Sequence, residues 1–273
     1  LYDPQGFAAP YIVKGRILIQ NIWKTGIDWD EEIREVELQQ WKAWLQGLNE
    51  LRVIRIPRWY NPVNTESKAD LHIFTDASEK AYGAVAYWVF KCPNNKTVVS
   101  LIASKARVTP LKPTTIPRLE LQAALLGARL ACTIQQEHRI KAGRRFFWTD
   151  SSTVLSWIRS DAALYKPFVA HRIVEITEIT RPHDWRWLST RDNVADDVSR
   201  GVARLTNEHR WFTGPDFLRR TEDTWPQRSD VNNVAEELKK VAVNVVTGSR
   251  PDNAAKCSPP VTRFSSFNKL VRT

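Results

Sequence analysis

Four acidic residues stand where a carboxylate could do chemistry: Asp76, Glu120, Asp150 and Asp196. Asp76 and Asp150 lie in, or directly after, apolar runs typical of β-strands, whereas Glu120 and Asp196 lie in helical patterns. If folding brings them together, the carboxylates repel one another and partly protonate unless a cation neutralises them. Ligands that are all oxygen favour Mg²⁺ or Mn²⁺ over zinc. Two such ions can activate a water and stabilise the leaving oxygen when a phosphodiester is hydrolysed.

The elements that must position these residues follow from the apolar pattern. We expect strands at 71–78, 81–90, 97–104, 146–149 and 184–188, and helices at 115–136, 150–159, 166–179 and 193–200. This order predicts an α/β fold with one mixed five-stranded sheet flanked by helices. The first and fourth strands would be parallel neighbours, which places Asp76 beside Asp150 at their carboxyl ends. Ala124 and Gly127 continue the helix stripe of Glu120 and would let that helix approach the sheet closely.

Each carboxylate also has a purely structural explanation. Asp76 could be a turn former, Asp150 could cap the helix that follows it, and Asp196 could form a capping box with Asn193. Glu120 could interact with the positive end of its own helix. Four separate accidents at the expected strand ends of one fold are less plausible than one shared site, so we favour the catalytic interpretation.

The chain divides into segments of different character. Residues 1–60 are predicted to be mostly helical, with helices near 9–23 and 31–48, and residues 61–69 have the composition of a linker. Residues 70–204 form the α/β domain, and 205–227 are an appended aromatic segment. Residues 228–273 are predicted to be a linker or tail with a helix at 231–246. Because the chain contains no Met, even at position 1, we expect it to be a fragment of a longer product.

The charge balance indicates the kind of partner. Forty Lys and Arg residues against 30 Asp and Glu give a net charge of +10, which favours nucleic acid over an anionic membrane. No apolar run approaches the roughly 18 residues of a membrane span. The three cysteines form no C-x-x-C pattern, which argues against a zinc knuckle and favours a reducing intracellular compartment.

Several long motifs resemble known families. FTDASEKAYGAVAY, LELQAALLGARL, WTDSSTVLSWI and NVAD resemble the type 1 ribonuclease H domain. With LYDPQGFAAPYIVKGRILIQ, TTIPRLELQAALL, KPFVAHRIVEI and WFTGPDFL, the whole of 1–227 resembles the Pol polyprotein of BEL/Pao retrotransposons, the Pao retrotransposon peptidase family. The resemblance implies a ribonuclease H-like fold that cleaves the RNA strand of an RNA–DNA hybrid. It also implies an upstream reverse transcriptase joined through 1–60, a downstream integrase after 228–273, and action in cytoplasmic virus-like particles or the nucleus.

The resemblance also assigns roles to residues. It makes Asp76, Glu120, Asp150 and Asp196 the catalytic ligands of two Mg²⁺ or Mn²⁺ ions, with the motif register favouring Asp196 over Asp197. The preceding stretch, DWRWLSTRDN, lacks the His that such enzymes often carry there. Under the ribonuclease hypothesis, the candidate phosphate-binding residues are Lys105, Arg107, Arg118, Arg172 and Arg200. The alternative is that they are ordinary solvated surface charges.

Other activities fit the sequence poorly. An aspartic protease needs Asp-Thr/Ser-Gly, and Asp150-Ser151-Ser152 lacks the Gly. No Tyr-x-Asp-Asp of a reverse transcriptase palm occurs, and an integrase takes its Glu last, unlike the early Glu120. One alternative to the enzyme stays open, namely a non-catalytic ribonuclease H-like remnant that binds nucleic acid. The presence of all four carboxylates argues against such decay.

Overall fold

Five strands form one sheet in the computed structural model, which describes residues 2–60, 69–92, 96–227 and 237–239. The strands are β1 (Ala69–Ala77), β2 (Ala81–Lys91), β3 (Thr97–Val108), β4 (Ala142–Thr149) and β5 (Trp185–Trp187). They lie in the order β3-β2-β1-β4-β5. Strand β2 is antiparallel to both β1 and β3, whereas β4 is parallel to β1 and β5 is parallel to β4. The predicted mixed sheet, with its first and fourth strands as parallel neighbours, is confirmed.

Seven α-helices accompany the sheet in the described residues. They are α1 (Ala9–Lys24), α2 (Glu35–Gly47), α3 (Ile116–Glu137), α4 (Ser152–Arg159), α5 (Pro167–Ile179), α6 (Asp196–Arg200) and α7 (Arg210–Thr213). Helix α6 is shorter than predicted because a separate turn at Thr190–Asp192 and an extended Asn193 precede it. It ends, as expected, at Gly201, whose φ of +76° is one that glycine adopts without strain. None of these helices is both long and apolar enough to cross a membrane.

Both faces of the central strands are buried. Successive side chains of a strand point to opposite faces, so Leu71 and Ile73 pack under α3 and α5, while Phe74 faces the other layer. That second layer includes α6 and the aromatic segment 205–227, in which Trp211 and Trp225 are buried. The aromatic segment therefore packs on the sheet, as its composition indicates.

The N-terminal helix is built into the same unit. Tyr11, Ile12 and Val13 of α1 are buried, and the helix packs against β3 and α6. The backbone N–H of Ser104 in β3 donates to the carbonyl of Gln5 at 2.8 Å. By contrast, α2 has no buried residue. The assignment of 1–60 to a connection segment stays a prediction, but its first 24 residues contribute to the core of the sheet unit.

The tail is described only at 237–239. There the predicted helix over 231–246 is wrong, because Leu238 forms an antiparallel bridge with Tyr165. Glu237 has a φ of +65°, outside the right-handed helical region. The rest of that predicted helix, the greater part of the 61–69 linker and the remaining tail lie outside the described residues.

Candidate active site

Two of the four carboxylates lie at the carboxyl ends of neighbouring parallel strands. Strands β1 and β4 pair through Ile73 with Phe147 and through Phe74 with Trp148. Asp76 and Asp150 each follow the last pair by two residues, so they lie side by side at one edge of the sheet. This is the position at which open α/β sheets bind their ligands.

Helix α3 carries Glu120 to the same edge. A Cβ on Gly127 would lie 2.5 Å from Cγ2 of Thr75 and 3.1 Å from Cγ2 of Ile73, so only glycine permits this approach of helix to strand. The predicted role of the small-residue stripe is confirmed at this position. The Ser151 hydroxyl donates to Oε2 of Glu120 at 2.6 Å, which joins α3 to the residue after Asp150.

Helix α6 brings in the fourth carboxylate. The Ser199 hydroxyl donates to Oδ2 of Asp76, and the Arg200 guanidinium donates to Oδ1 of Asp196. The Asn193 amide donates to the carbonyl of Thr75 at 3.1 Å and to Oδ1 of Asp150 at 3.2 Å. These hydrogen bonds hold the segment before α6 against the ends of β1 and β4.

The carboxylates interact electrostatically at this edge. Asp76 is only 6% exposed, and its pKa is raised to about 7. Burial is the largest cause, followed by the nearby Asp150, with smaller contributions from Asp196 and Glu120, whereas the hydrogen bond from Ser199 acts in the opposite direction. Desolvation and like-charge repulsion both favour the neutral acid. Full ionisation of the carboxylates at this edge is therefore unfavourable without a cation.

The chemistry of the donor set fits a divalent cation. Four carboxylates with no nitrogen or sulfur among them are the ligand type of Mg²⁺ and Mn²⁺, and a cation would relieve the repulsion felt at Asp76. Within the described residues, no group of three or more acidic, His or Cys side chains already converges at metal-binding spacing. The carboxylates instead accept hydrogen bonds from protein donors, including Ser151, Ser199 and Thr190, the last at 2.7 Å from Oδ2 of Asp150.

The structural explanations for the carboxylates are wrong in three cases. Ser151, not Asp150, caps α4, because its hydroxyl accepts from the N–H of Val154. Asp196 forms no capping box, since the N-cap position of α6 is Ala195 and no side chain caps the helix. Asp76 lies inside β1, one residue before its end, and is not a turn residue.

Asp196 and the adjacent Asp197 have different surroundings. Asp197 is buried, and the Arg210 guanidinium donates to both of its oxygens, at 2.7 and 3.0 Å. The pair joins α6 to α7. Asp197 therefore has a structural partner, which is consistent with the motif register that favours Asp196.

The five candidate phosphate-binding residues do not converge on one place. Arg200 donates to Asp196, a carboxylate of the site. Lys105 and Arg107 are exposed on β3, an edge strand separated from β1 by β2. Arg118 and Arg172 lie on α3 and α5, where Arg172 stacks 3.6 Å above the ring of Phe168.

Several residues of the site could not be identified from the sequence. Ser151, Thr190 and Ser199 are common surface types with no distinctive pattern, and their partners are 31 to 123 residues away along the chain. The sequence suggests only a capping role for Asn193. Its position in NVAD, three residues before Asp196, is the one feature that points to a role in the site. Its bridge between β1 and Asp150 depends on tertiary structure.

The comparisons with known proteins find a matching family model and similar solved structures. A family model described as the Pao retrotransposon-like RNaseH-like domain matches residues 1–151, which include Asp76, Glu120 and Asp150. Among solved structures, RNase H1 of the halophilic archaeon Halobacterium salinarum NRC-1 is similar at 14% identity and a TM-score of 0.30, over 47% of this chain and 90% of that one. No curated protein matches the chain.

Proposed function

The chain belongs to the family of Pao retrotransposon-like RNaseH-like domains, and we propose that it is a metal-dependent endoribonuclease that cleaves the RNA strand of RNA–DNA hybrids. The observation that carries this proposal is that Asp150, Asp196 and Glu120 lie near enough to Asp76, at one sheet edge, to act with burial in raising its pKa. Divalent cations would relieve the repulsion among these groups.

The protein's own residues prepare this edge for a phosphodiester. Asp76, Glu120, Asp150 and Asp196 would hold the ions, which when bound supply an activated water and stabilise the leaving oxygen. Asn193 and Thr190 orient Asp150 through hydrogen bonds, and Ser199 orients Asp76. Arg200, beside Asp196, adds a positive charge that would attract a substrate phosphate.

Substrate choice would come from the shape of the hybrid. A-form RNA strands present 2′-hydroxyls in a wide minor groove, and proteins distinguish RNA from DNA through these groups rather than through base edges. The net charge of +10 favours such a polyanionic partner. We further propose that the chain works beside a reverse transcriptase and an integrase of the same polyprotein, in an intracellular particle or the nucleus.

One observation favours a second candidate, a non-catalytic module that binds nucleic acid. The described carboxylates accept hydrogen bonds from the protein, and no three acidic, His or Cys side chains in the described residues converge on a metal position. A remnant that has lost its metals would keep the basic surface and the fold. It would bind hybrids without cutting them.

A cleavage assay separates the two candidates. The full chain is incubated with a hybrid labelled on its RNA strand, in Mg²⁺ or in EDTA, with RNA and DNA duplexes of the same sequence as controls. We expect cuts in the RNA strand of the hybrid only, and only with Mg²⁺. Binding without cleavage by the folded chain would instead support the non-catalytic module.

A further inference from the structure

A short segment of the tail, residues 237–239, lies against the start of α5. The N–H of Lys166 donates to the carbonyl of Glu237 at 2.9 Å, and the N–H of Lys239 donates to the carbonyl of Leu164 at 2.9 Å. These backbone hydrogen bonds lie on either side of Tyr165, which forms the bridge with the tail segment. The backbone therefore fixes where the side chain of Glu237 lies.

The carboxylate of Glu237 is held by cations on two helices. Arg118 of α3 donates from Nε and Nη2 to the two oxygens of Glu237, both at 2.9 Å. Nζ of Lys166 lies 3.6 Å from Oε2. The hydrogen bond from Arg118 lowers the pKa of the Glu237 carboxyl, so the group is an anion at neutral pH. Paired N–H donors of this kind bind carboxylate and phosphate in the same geometry.

The surroundings of this ion pair are strongly positive. The guanidinium carbons of Arg172 and Arg118 lie 3.6 and 4.9 Å from the centroid of the Phe168 ring. Nε of Arg172 is buried and has no hydrogen-bond partner among the described residues. Helix α5 begins at Pro167, so the positive end of its dipole also points to this place. Glu175 also acts on Arg172 but is paired with Arg129, so four cations and a helix end face two carboxylates.

We propose that Arg118, Lys166 and Arg172 form a binding site for a nucleic-acid phosphate. In the structure the carboxylate of Glu237 occupies this site in place of the phosphate. The inference rests on the proposed function, because Arg118 and Glu120 lie in the same turn of α3, on different faces and about 3 Å apart along the helix axis. A hybrid that lies along the carboxylate edge and over this end of α3 would bring a further phosphate to this site. Glu237 competes with that phosphate, so the tail weakens substrate binding until it is displaced.

The test measures binding by the full chain to a fluorescein-labelled RNA–DNA hybrid across a salt series, in EDTA so that no strand is cut. Glu237→Gln keeps the size of the side chain but removes its charge. We expect binding to tighten roughly three- to tenfold, and the slope of log affinity against log salt to steepen by about 0.9, the value for one added phosphate contact. Arg118→Gln in the same background should abolish this gain.

A matched control is available on the same two helices. Arg129 of α3 donates to both oxygens of Glu175 in α5, at 2.6 and 2.9 Å, so Glu175→Gln removes an equal charge from an equivalent ion pair. A labelled DNA duplex serves as a second probe, and the gain should appear there too because the contact is to phosphate. Thermal melting of each variant establishes that it is folded.

The outcomes separate this site from the proposed function. If Glu237→Gln gains no more affinity than Glu175→Gln, or if Arg118→Gln leaves the gain intact, Glu237 is only a structural contact and the phosphate site is wrong. A gain in a protein that never cleaves the hybrid in Mg²⁺ would support the site and contradict the ribonuclease. Cleavage of the hybrid by a protein in which Glu237→Gln gives no gain in affinity would support the ribonuclease and contradict the phosphate site.

Discussion

His72 is a fully buried histidine on the sheet face covered by the aromatic segment. Its ring stacks on Phe146 with 4.7 Å between centroids and meets the edge of Trp225. Nδ1 accepts the indole N–H of Trp148 at 3.1 Å, so the proton of the neutral ring sits on Nε2. Burial, and then the nearby Arg186, hold the pKa of His72 well below its usual value. The folded protein therefore contains a histidine that resists protonation.

This burial predicts a specific loss of stability in mild acid. Below about pH 6.5 the unfolded chain binds a proton at His72 that the folded chain does not, so the free energy of unfolding falls by up to about 1.4 kcal/mol per pH unit. His72→Gln cannot titrate and should lack this contribution, although it is less stable at pH 8. Urea unfolding from pH 8 to pH 5 measures the difference between the two proteins.

His171→Gln, which removes an exposed histidine, is the control. It should follow the wild-type curve throughout. Parallel curves for His72→Gln and the wild type would mean that His72 is protonated in the folded state, contrary to the contacts that the structure gives it.

The residues of the candidate site could be predicted where the chemistry requires a particular residue type. The four acidic positions follow from residue type and from their expected strand and helix ends. Their hydrogen-bond partners could not be predicted, because hydroxyls such as Ser199 become partners only after α6 is placed against β1. The residue that caps α4 could not be predicted for a related reason, since Asp150 and Ser151 are both good caps and only their geometry distinguishes them.

Among the elements, α3 has the tightest constraint, because it must lie close to β1 for Glu120 to reach the edge. Gly127→Ala adds a methyl group 2.5 Å from Cγ2 of Thr75, which forces the helix away from the strand. Overpacking of this kind costs roughly 1–3 kcal/mol, partly offset by about 1 kcal/mol of better helix propensity. We expect a net loss of stability in urea unfolding and slower hybrid cleavage.

Thr133→Ala, an exposed substitution on the same helix, is the control for Gly127→Ala. It should leave both stability and cleavage close to those of the wild type. A Gly127→Ala protein that is as stable and as active as the wild type would mean that α3 tolerates a larger distance from β1 than the structure indicates.

Element types were predictable from periodicity, whereas their ends were not. Strand β4 begins at Ala142, four residues before its predicted start, because its first part is charged and pairs with β1 through the backbone. There Arg144 forms ion pairs with Asp70 and Glu222, at 2.9 and 2.7 Å. These charges do not predict a strand from the sequence, since their partners come from the neighbouring strand β1 and from the appended segment.

At the scale of the whole molecule, segments from both ends of the described chain cover the sheet. The indole N–H of Trp211 donates to the carbonyl of Phe7 at 2.8 Å, and the Tyr87 hydroxyl donates to the carbonyl of Trp211 at 2.6 Å. The predicted boundaries at 60 and 204 stay predictions, but these contacts join both outer segments to the central sheet. No local pattern could reveal them, because they join residues up to 204 positions apart.

The central claim is that this fold holds a metal-dependent carboxylate site, and Asp150→Asn tests it most directly. Asn can still accept from Asn193, and its amide can donate to the Thr190 hydroxyl, which in the wild type donates to Asp150. Its lack of charge relieves the repulsion at Asp76. The melting temperature without metal should therefore hold or rise. Hybrid cleavage in Mg²⁺ should fall by more than roughly a hundredfold, since loss even of an outer-shell partner of a metal costs 10- to 100-fold.

The matched control is Asp192→Asn, which removes the same charge from the neighbouring Thr190–Asp192 turn, where Asp192 accepts a hydrogen bond from Ser189. Its cleavage rate should stay close to that of the wild type. The measurement is the cleavage rate of each folded variant beside its melting temperature. We predict that the two quantities separate for Asp150→Asn, with stability kept and cleavage lost. Near-normal cleavage by a folded Asp150→Asn protein would contradict the metal site.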